Sequence, residues 1–471
     1  MGIAPLRSSP GDAGAASRCR RRARWRCVPG VILALALASA PGSALAVVDR
    51  DCALPGADCT LAETAARAGV HVGVALDSGA SQAERDLVAR EFDSVTPENA
   101  MKWGEVAPRI GQYSFGRADA IAEFAESNGL RLRGHTLVWG VMQLPEDLGG
   151  ALAAASDPGA TLAELVGAHF ATMTGRYGGR VAQWDVVNEP LRNDGNGLED
   201  NVFLHHLGAG YLRSAFDAAR ALDPGARLFL NEYALAWPSA KLEALKSLVA
   251  TLRAGGAPID GVGLQGHFYP YLPLPDRKTL EKELRDLASL GVEIELTEID
   301  VSVWHFRGDA DPLARQAEYF GDVVGACMAV PACTGVTFWG VRDDDTWLDS
   351  LFASAAPHRP LLFDASLAPK PAYFAVREAI AARAQPFAGR AEALFREIGR
   401  ARRAGGIGGP SVKDARRAAS RAAALLRRGR FVESCGRLAR VTRALGAANG
   451  AAVADLSAAT ADLRTALDCD G

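Results

Sequence analysis

The chain has 471 residues, of which 49% are hydrophobic and 23% charged, with a formal net charge of -3. That length fits one large domain and a smaller one, and the composition is that of a globular protein. The near-neutral balance gives no reason to expect nucleic acid or a membrane as the main partner.

Residues 1–46 read as a secretory signal peptide. A basic cluster at 18–26 precedes a short apolar run at 31–40, and Ala44-Leu45-Ala46 offers a small-x-small cleavage pattern. The apolar run is too short to span a bilayer comfortably. An exported protein is expected, extracellular or periplasmic. Of eight cysteines, Cys19 and Cys27 would leave with the leader. The remaining six are an even set in an exporting context, so disulfides are expected. Their clustering suggests Cys52–Cys59, Cys327–Cys333 and Cys435–Cys469, although spacing alone permits other pairings. No Cys/His spacing suits a metal, and His205-His206 read as structural or solvated, so neither metal nor cofactor is expected.

From residue 70 to about 385, β-rich runs alternate with helical patterns. The runs are VHVGVAL (70–76), FDSVTP (92–97), LRLRGHTLVW (130–139) and VAQWDVVNE (181–189), then ARLFLNEY (226–233), GVGLQGHF (261–268), VEIELTEIDV (292–301) and GVTFWGV (335–341). Between them, stretches such as ADAIAEFAESNG and YLRSAFDAARALDPG carry apolar residues at helical spacing and stop at Gly or Asp-Pro. Eight strand–helix units predict an α/β fold, a (β/α)₈ TIM barrel over residues 47–385. A doubly wound open sheet is the alternative, weakened because no Gly-rich phosphate loop follows the first strand. Residues 386–410, with the run GGIGGP, read as a flexible linker. Residues 411–471 read as an Ala/Arg-rich helical appendage of two or three helices. From residue 386 onward there are 16 Lys/Arg against 8 Asp/Glu. Such a tail could touch acidic polysaccharide or a cell envelope; the plainer and preferred reading is a solvated appendage.

A barrel of this kind does its chemistry at the C-terminal ends of its strands. Those ends carry Glu98, Asn99 and Lys102 after the second run, and His135 and Trp139 in the third. Asn188 and Glu189 end the fourth, Asn231, Glu232 and Tyr233 the fifth, and Gln265 and His267 lie in the sixth. Glu298 and Asp300 lie in the seventh and Trp339 in the eighth, with Trp347 beyond it. A lone strand-end Glu is ordinarily ion-paired or solvated. Glu189 and Glu298, from strands facing across the mouth, make a pair, and two opposed carboxylates can hydrolyse a glycosidic bond. One must donate a proton while the other attacks ionised, which different environments can arrange. Tryptophans suit sugar faces, and Asn, Gln, His and Lys suit sugar hydroxyls. Taken singly, His135 and His267 would be structural histidines and the tryptophans as readily core or rim packing; Asp300 reads as a helix cap or, with slight preference, as a group that with His267 orients Glu298.

The chain resembles glycoside hydrolase family 10, the β-1,4-xylanases. TPENAMKW (96–103), RGHTLVW (133–139), WDVVNEP (184–190), VGLQGHF (262–268), LTEIDV (296–301) and FWGVRDDDTW (338–347) match the family's motifs in its order. The resemblance implies a retaining endo-xylanase, with carboxyls about 5–5.5 Å apart. Glu189 would be the acid/base and Glu298 the nucleophile. Asn188 would bond the sugar 2-hydroxyl. His267 would support Glu298, with Asp300 behind it. Glu98, Asn99, Lys102, His135, Trp139, Gln265, Trp339 and Trp347 would line the non-reducing-side subsites, with Asn231 and Tyr233 behind them. Cys327 and Cys333 resemble a disulfide of many members. The chain departs at Gly140, where the family usually has His, and at Glu232, where it usually has Asp. The first would remove a polar group near the sugar, and the second lengthens a supporting carboxylate. Two rival readings follow: a two-Glu barrel acting on β-glucan or mannan, and a barrel that binds polysaccharide without cutting it.

Overall fold

The computed structural model describes residues 59–235, 239–426, 431–467 and 469. The leader expected at 1–46 and Cys52 lie outside them. Among the described residues nine strands form: β1 (His71–Leu76), β2 (Ser94–Pro97), β3 (Arg131–Trp139), β4 (Val181–Asn188), β5 (Arg227–Glu232), β6 (Gly261–Leu264), β7 (His267–Phe268), β8 (Glu293–Val301) and β9 (Cys333–Phe338). All pair in parallel, β1 pairs with β9, and β6 pairs with β8. The sheet therefore closes on itself as a (β/α)₈ barrel, which excludes the open doubly wound sheet. The strands are buried almost end to end because helices cover the outside and side chains fill the inside.

One strand differs from expectation. The sixth run is two pieces, β6 and β7, separated by Gln265 and Gly266. Gly266 has φ 77°, a left-handed backbone open to glycine. Across the break Gln265 reaches Glu189 and His267 reaches Glu298.

The amphipathic stretches fold as read. ADAIAEFAESN lies within the Gly116–Asn128 helix, which ends on left-handed Gly129, and YLRSAFDAARAL within Gly210–Leu222, which ends at Asp223. Thr60 and Ser81 begin their helices with full capping boxes.

Sequence reading places a domain boundary at 385/386. A single helix, Pro371–Arg403, runs through it. Its first part packs on the Leu61–Ala68 and Pro312–Met328 helices of the barrel, and its second part supplies Ala391, Leu394 and Ile398 to a separate core. That core is completed by the helices Ser411–Leu426, Phe431–Gly446 and Val453–Ala466. GGIGGP is a built corner rather than a tether. Gly406 N–H donates to Ala401 O at 2.8 Å, Gly408 and Asn449 exchange backbone hydrogen bonds, and Ile407 is buried in the small core. Glycine runs read as flexible only while their amides lack partners. Cys327–Cys333 and Cys435–Cys469 are bonded, with Cα atoms 5.5 and 5.2 Å apart. Cys59 is also disulfide-bonded.

Candidate active site

Strand register brings the site together. Trp139 lies beside Asn188, and Asn188 beside Asn231, on β3, β4 and β5. His267 lies beside Asp300 on β7 and β8. Residues more than 100 positions apart thus share one rim without any loop having to place them.

Glu189 follows the last residue of β4 with φ 53°, unusual for a residue with a Cβ. The turn sends the chain into Pro190 and aims the carboxyl across the mouth. Its Oε2 accepts from Trp139 Nε1 at 2.8 Å and its Oε1 from Gln265 Nε2 at 2.7 Å. Both donors are neutral. Loss of solvent around the carboxyl, reinforced by repulsion from Glu298, raises its pKa in spite of the two hydrogen bonds.

Glu298 has the opposite surroundings. Its Oε1 accepts from Asn231 Nδ2 at 2.6 Å, and its Oε2 is 3.1 Å from His267 Nε2. Burial alone would raise its pKa. The His267 hydrogen bond, attraction to His135 and His267, and the Asn231 amide outweigh this, and the pKa falls below the usual carboxylate value. His267 Nδ1 lies 2.8 Å from Asp300 Oδ2, which also accepts from Trp347 Nε1 at 2.9 Å. Burial disfavours imidazolium, yet Asp300 and Glu298 push His267 up to about 10. Asp300 is therefore an anchor for two rings and not a helix cap. Gln265 joins the two acids: its carbonyl accepts from Glu298 N–H at 2.7 Å while its amide holds Glu189.

Asn231 Nδ2 also reaches Asn188 Oδ1 at 2.8 Å, and Thr297 Oγ1 donates to Asn231 Oδ1 at 2.7 Å. With its oxygen engaged, Asn188 keeps its amide donors for a ligand. On the other side of the mouth Lys102 Nζ donates to Asn99 Oδ1 at 2.8 Å, and Asn99 Nδ2 lies 3.3 Å from Glu98 Oε1. The Lys102 ammonium also sits 4.8 Å from the Trp139 ring and 5.9 Å from Trp339. Burial lowers its pKa, opposed by Glu298, Glu98 and Glu189. Trp339 meets His135 and His267 edge-on, and Trp347 meets His267 the same way.

His135 stands differently. Its Nδ1 is 2.9 Å from Asp185 Oδ2, inside a buried layer beneath the mouth. There Arg133 binds Asp185 through two nitrogens and Glu295 Oε2 at 2.7 Å, and Gln183 Nε2 adds 2.6 Å to Glu295. Sequence reading missed this layer. Its trace was present, since Arg133 and His135 are two apart on one strand and so share a face.

Lys241 was missed too, and nothing near it in sequence marks it. It is fully buried, with Nζ 3.0 Å from Glu232 Oε1, 3.3 Å from Asn193 Oδ1 and 3.2 Å from the centre of the Tyr233 ring. Glu232 also accepts from Leu191 N–H at 3.1 Å, next to the Glu189 turn. Burial pushes Glu232 up to about 7, against the Lys241 attraction. The longer carboxylate at 232 thus braces the segment that follows Glu189, and Tyr233 is the platform for its cation.

Gly140 reads differently in three dimensions. A Cβ there would lie 2.5 Å from Asn201 Cγ and 2.6 Å from Asn201 Nδ2. Asn201 caps the Val202–Leu207 helix through its Oδ1. The absence of a side chain at 140 is filled by an amide from 61 positions later, so a polar group returns to that place.

The sequence pattern of glycosyl hydrolase family 10 matches residues 60–379. Endo-1,4-beta-xylanase A of Phanerodontia chrysosporium is 38% identical over 283 residues, covering 60% of this chain and 66% of that protein. Endo-1,4-beta-xylanase A of Fusarium oxysporum f. sp. lycopersici is 37% identical over 311 residues, covering 64% and 92%. The crystal structure of xylanase 10B from Thermotoga petrophila RKU-1 in complex with xylobiose superposes with a TM-score of 0.63 at 31% identity, covering 69% of this chain and 98% of that one.

Proposed function

Because the chain belongs to glycosyl hydrolase family 10, we propose that it is an endo-1,4-β-xylanase that cleaves internal xylosidic bonds by a retaining double displacement. The observation that carries the mechanism is the contrast between the two acids. Glu189, held by neutral donors, favours its protonated form; Glu298, held by His267 and Asn231, favours its ionised form.

In the first step a Glu298 oxygen bonds the anomeric carbon, the glycosidic C–O bond breaks, and the Glu189 proton goes to the leaving oxygen. In the second, Glu189 takes a proton from water, the water oxygen bonds the anomeric carbon, and Glu298 is released. Asn188, turned by Asn231, donates to the 2-hydroxyl. Glu98, Asn99 and Lys102 meet sugar hydroxyls, His135 stands on Asp185 beneath them, and Trp139, Trp339 and Trp347 offer ring faces or edges. Gln265 and Trp139 also orient Glu189.

Reducing-sugar release from xylan and from carboxymethyl cellulose, by wild type and by Glu298→Ala, tests the reading. Xylan cleavage that vanishes in Glu298→Ala is expected. Folded wild type that leaves xylan intact would refute it, and cutting of cellulose alone would move the substrate to β-glucan. The binding-only reading drew its weight from Gly140, whose place Asn201 occupies.

Export of the protein is part of the proposal. It is supported by the leader pattern at 1–46 and by the disulfides. An amino terminus at Val47 in the culture supernatant or periplasm is the expected mark.

A further inference from the structure

The Ser411–Leu426 and Phe431–Gly446 helices enclose a groove of about 550 Å³. Its walls are Arg417, Arg421, Arg437, Arg440 and Arg443, and small residues, Ala418 and Ala444, keep it open. On the first helix Arg417 and Arg421 are one turn apart, about 6 Å along the axis; on the second the three arginines recur every three residues, about 4.5 Å apart. Two rows of guanidinium groups therefore face one channel.

Residues 411–446 carry ten Lys/Arg and two Asp/Glu in sequence, and five of those cations line the groove. Asp414, the acid lining the groove, is taken by Arg417 at 2.7 Å. Arg421, Arg437, Arg440 and Arg443 have no acidic partner among the described residues. Packing does not ask for them, since the core beneath is Ala, Leu, Ile and Val. A bundle needing only solubility would mix signs, because like charges crowded together destabilise the folded state.

We propose that this groove binds carboxylate-bearing polysaccharide, the chemical class of polyuronates and uronate-substituted chains. Guanidinium forks bind carboxylates bidentately, and a polymer with carboxylates along its length matches rows of them. No aromatic side chain lines this groove, so neither base stacking nor stacking of neutral sugars contributes. Phe395 belongs to an adjoining hollow that shares Arg417 and Arg421 with the groove, where the Arg416 guanidinium covers it at 4.5 Å. The choice of polysaccharide among polyanions rests on the xylanase reading, under which one chain holds both cleft and groove.

The test is titration of the full-length protein with polygalacturonate at low salt, with neutral arabinoxylan and duplex DNA as comparators. Polygalacturonate has no xylosidic bond, so the groove is read independently of hydrolysis. If xylan is not cut while polygalacturonate is bound, the groove stands and the xylanase reading falls. Wild type is expected to bind polygalacturonate more tightly than either comparator and to weaken as salt rises. The Arg421→Gln/Arg437→Gln/Arg440→Gln variant is expected to lose roughly tenfold or more in affinity, with hydrolysis of short xylo-oligosaccharides unchanged. Arg440→Glu, on an exposed position, is the second variant should the triple one fold poorly, and it should move affinity in the same direction. Absence of polygalacturonate binding, equal binding by the variants, or tighter binding of DNA would overturn the proposal.

Discussion

The barrel mouth and the C-terminal bundle both depend on charged side chains, and they hold them in opposite ways. In the barrel, Arg133, Asp185, Glu295, His267, Asp300, Glu232 and Lys241 are all buried, and each has a partner of opposite sign. In the bundle, arginines stand over a small apolar core, and five of them line one groove. Buried charge is costly unless paired, so the barrel's network is a rigid frame that sets the ionisation of Glu189 and Glu298. Surface charge costs little, holds no geometry by itself, and remains available to something outside.

The sharpest way to break this contrast is at the acid whose state the frame sets. Glu189→Gln keeps the shape and removes the proton, and kcat/KM on xylan should fall about 10²–10⁴-fold. The pH profile gives the sign. Wild-type activity requires Glu189 protonated and is lost as pH rises through its raised pKa. It requires Glu298 ionised and is lost as pH falls through its lowered pKa. The alkaline limb should vanish in Glu189→Gln while the acid limb stays; an unchanged alkaline limb would assign the proton to another group.

Next comes the frame itself. Arg133→Met leaves Asp185 and Glu295 buried without their cation and should cost about 3–5 kcal/mol of stability, read from the urea midpoint. A loss within about 1 kcal/mol would mean that protonation of those carboxylates compensates. The equivalent change in the bundle, Arg421→Gln, should leave the midpoint where it was or raise it slightly by relieving like-charge crowding.

The smallest effect on the chemistry is expected from the bundle's staple. Cys435→Ser/Cys469→Ser removes the bond across 34 residues and should destabilise the bundle by roughly 2–4 kcal/mol. Xylan cleavage measured below that melting step should not change. Loss of activity together with the bundle would show that the shared helix Pro371–Arg403 carries stability from one core to the other.

Much of the site was legible because parallel strands buried on both faces are apolar along their length, so a polar residue at the C-terminal end stands out. Asn188 and Glu189, at the end of β4, have that form; Glu298 and His267 stood out through the stretches LTEIDV and VGLQGHF instead. Trp139 and Gln265 were legible as neighbours of a sugar, but their grip on Glu189 depends on which rotamers meet across the mouth. Asn201 and Lys241 left no such mark, since one is the cap of the Val202–Leu207 helix and the other lies inside the Ser239–Ala254 helix, and neither ends a strand.

What the sequence determined by itself was the alternation of elements, the set of polar strand ends and the disulfide candidates within reach, because these follow from local period and spacing. Tertiary structure alone decided the break between β6 and β7, the continuity of Pro371–Arg403 through the expected linker, the Arg133 layer, and the filling of Gly140 by Asn201. Each of these depends on a partner distant in sequence: a glycine corner stiffens when its amides find acceptors, and a missing side chain matters only if nothing else occupies its volume.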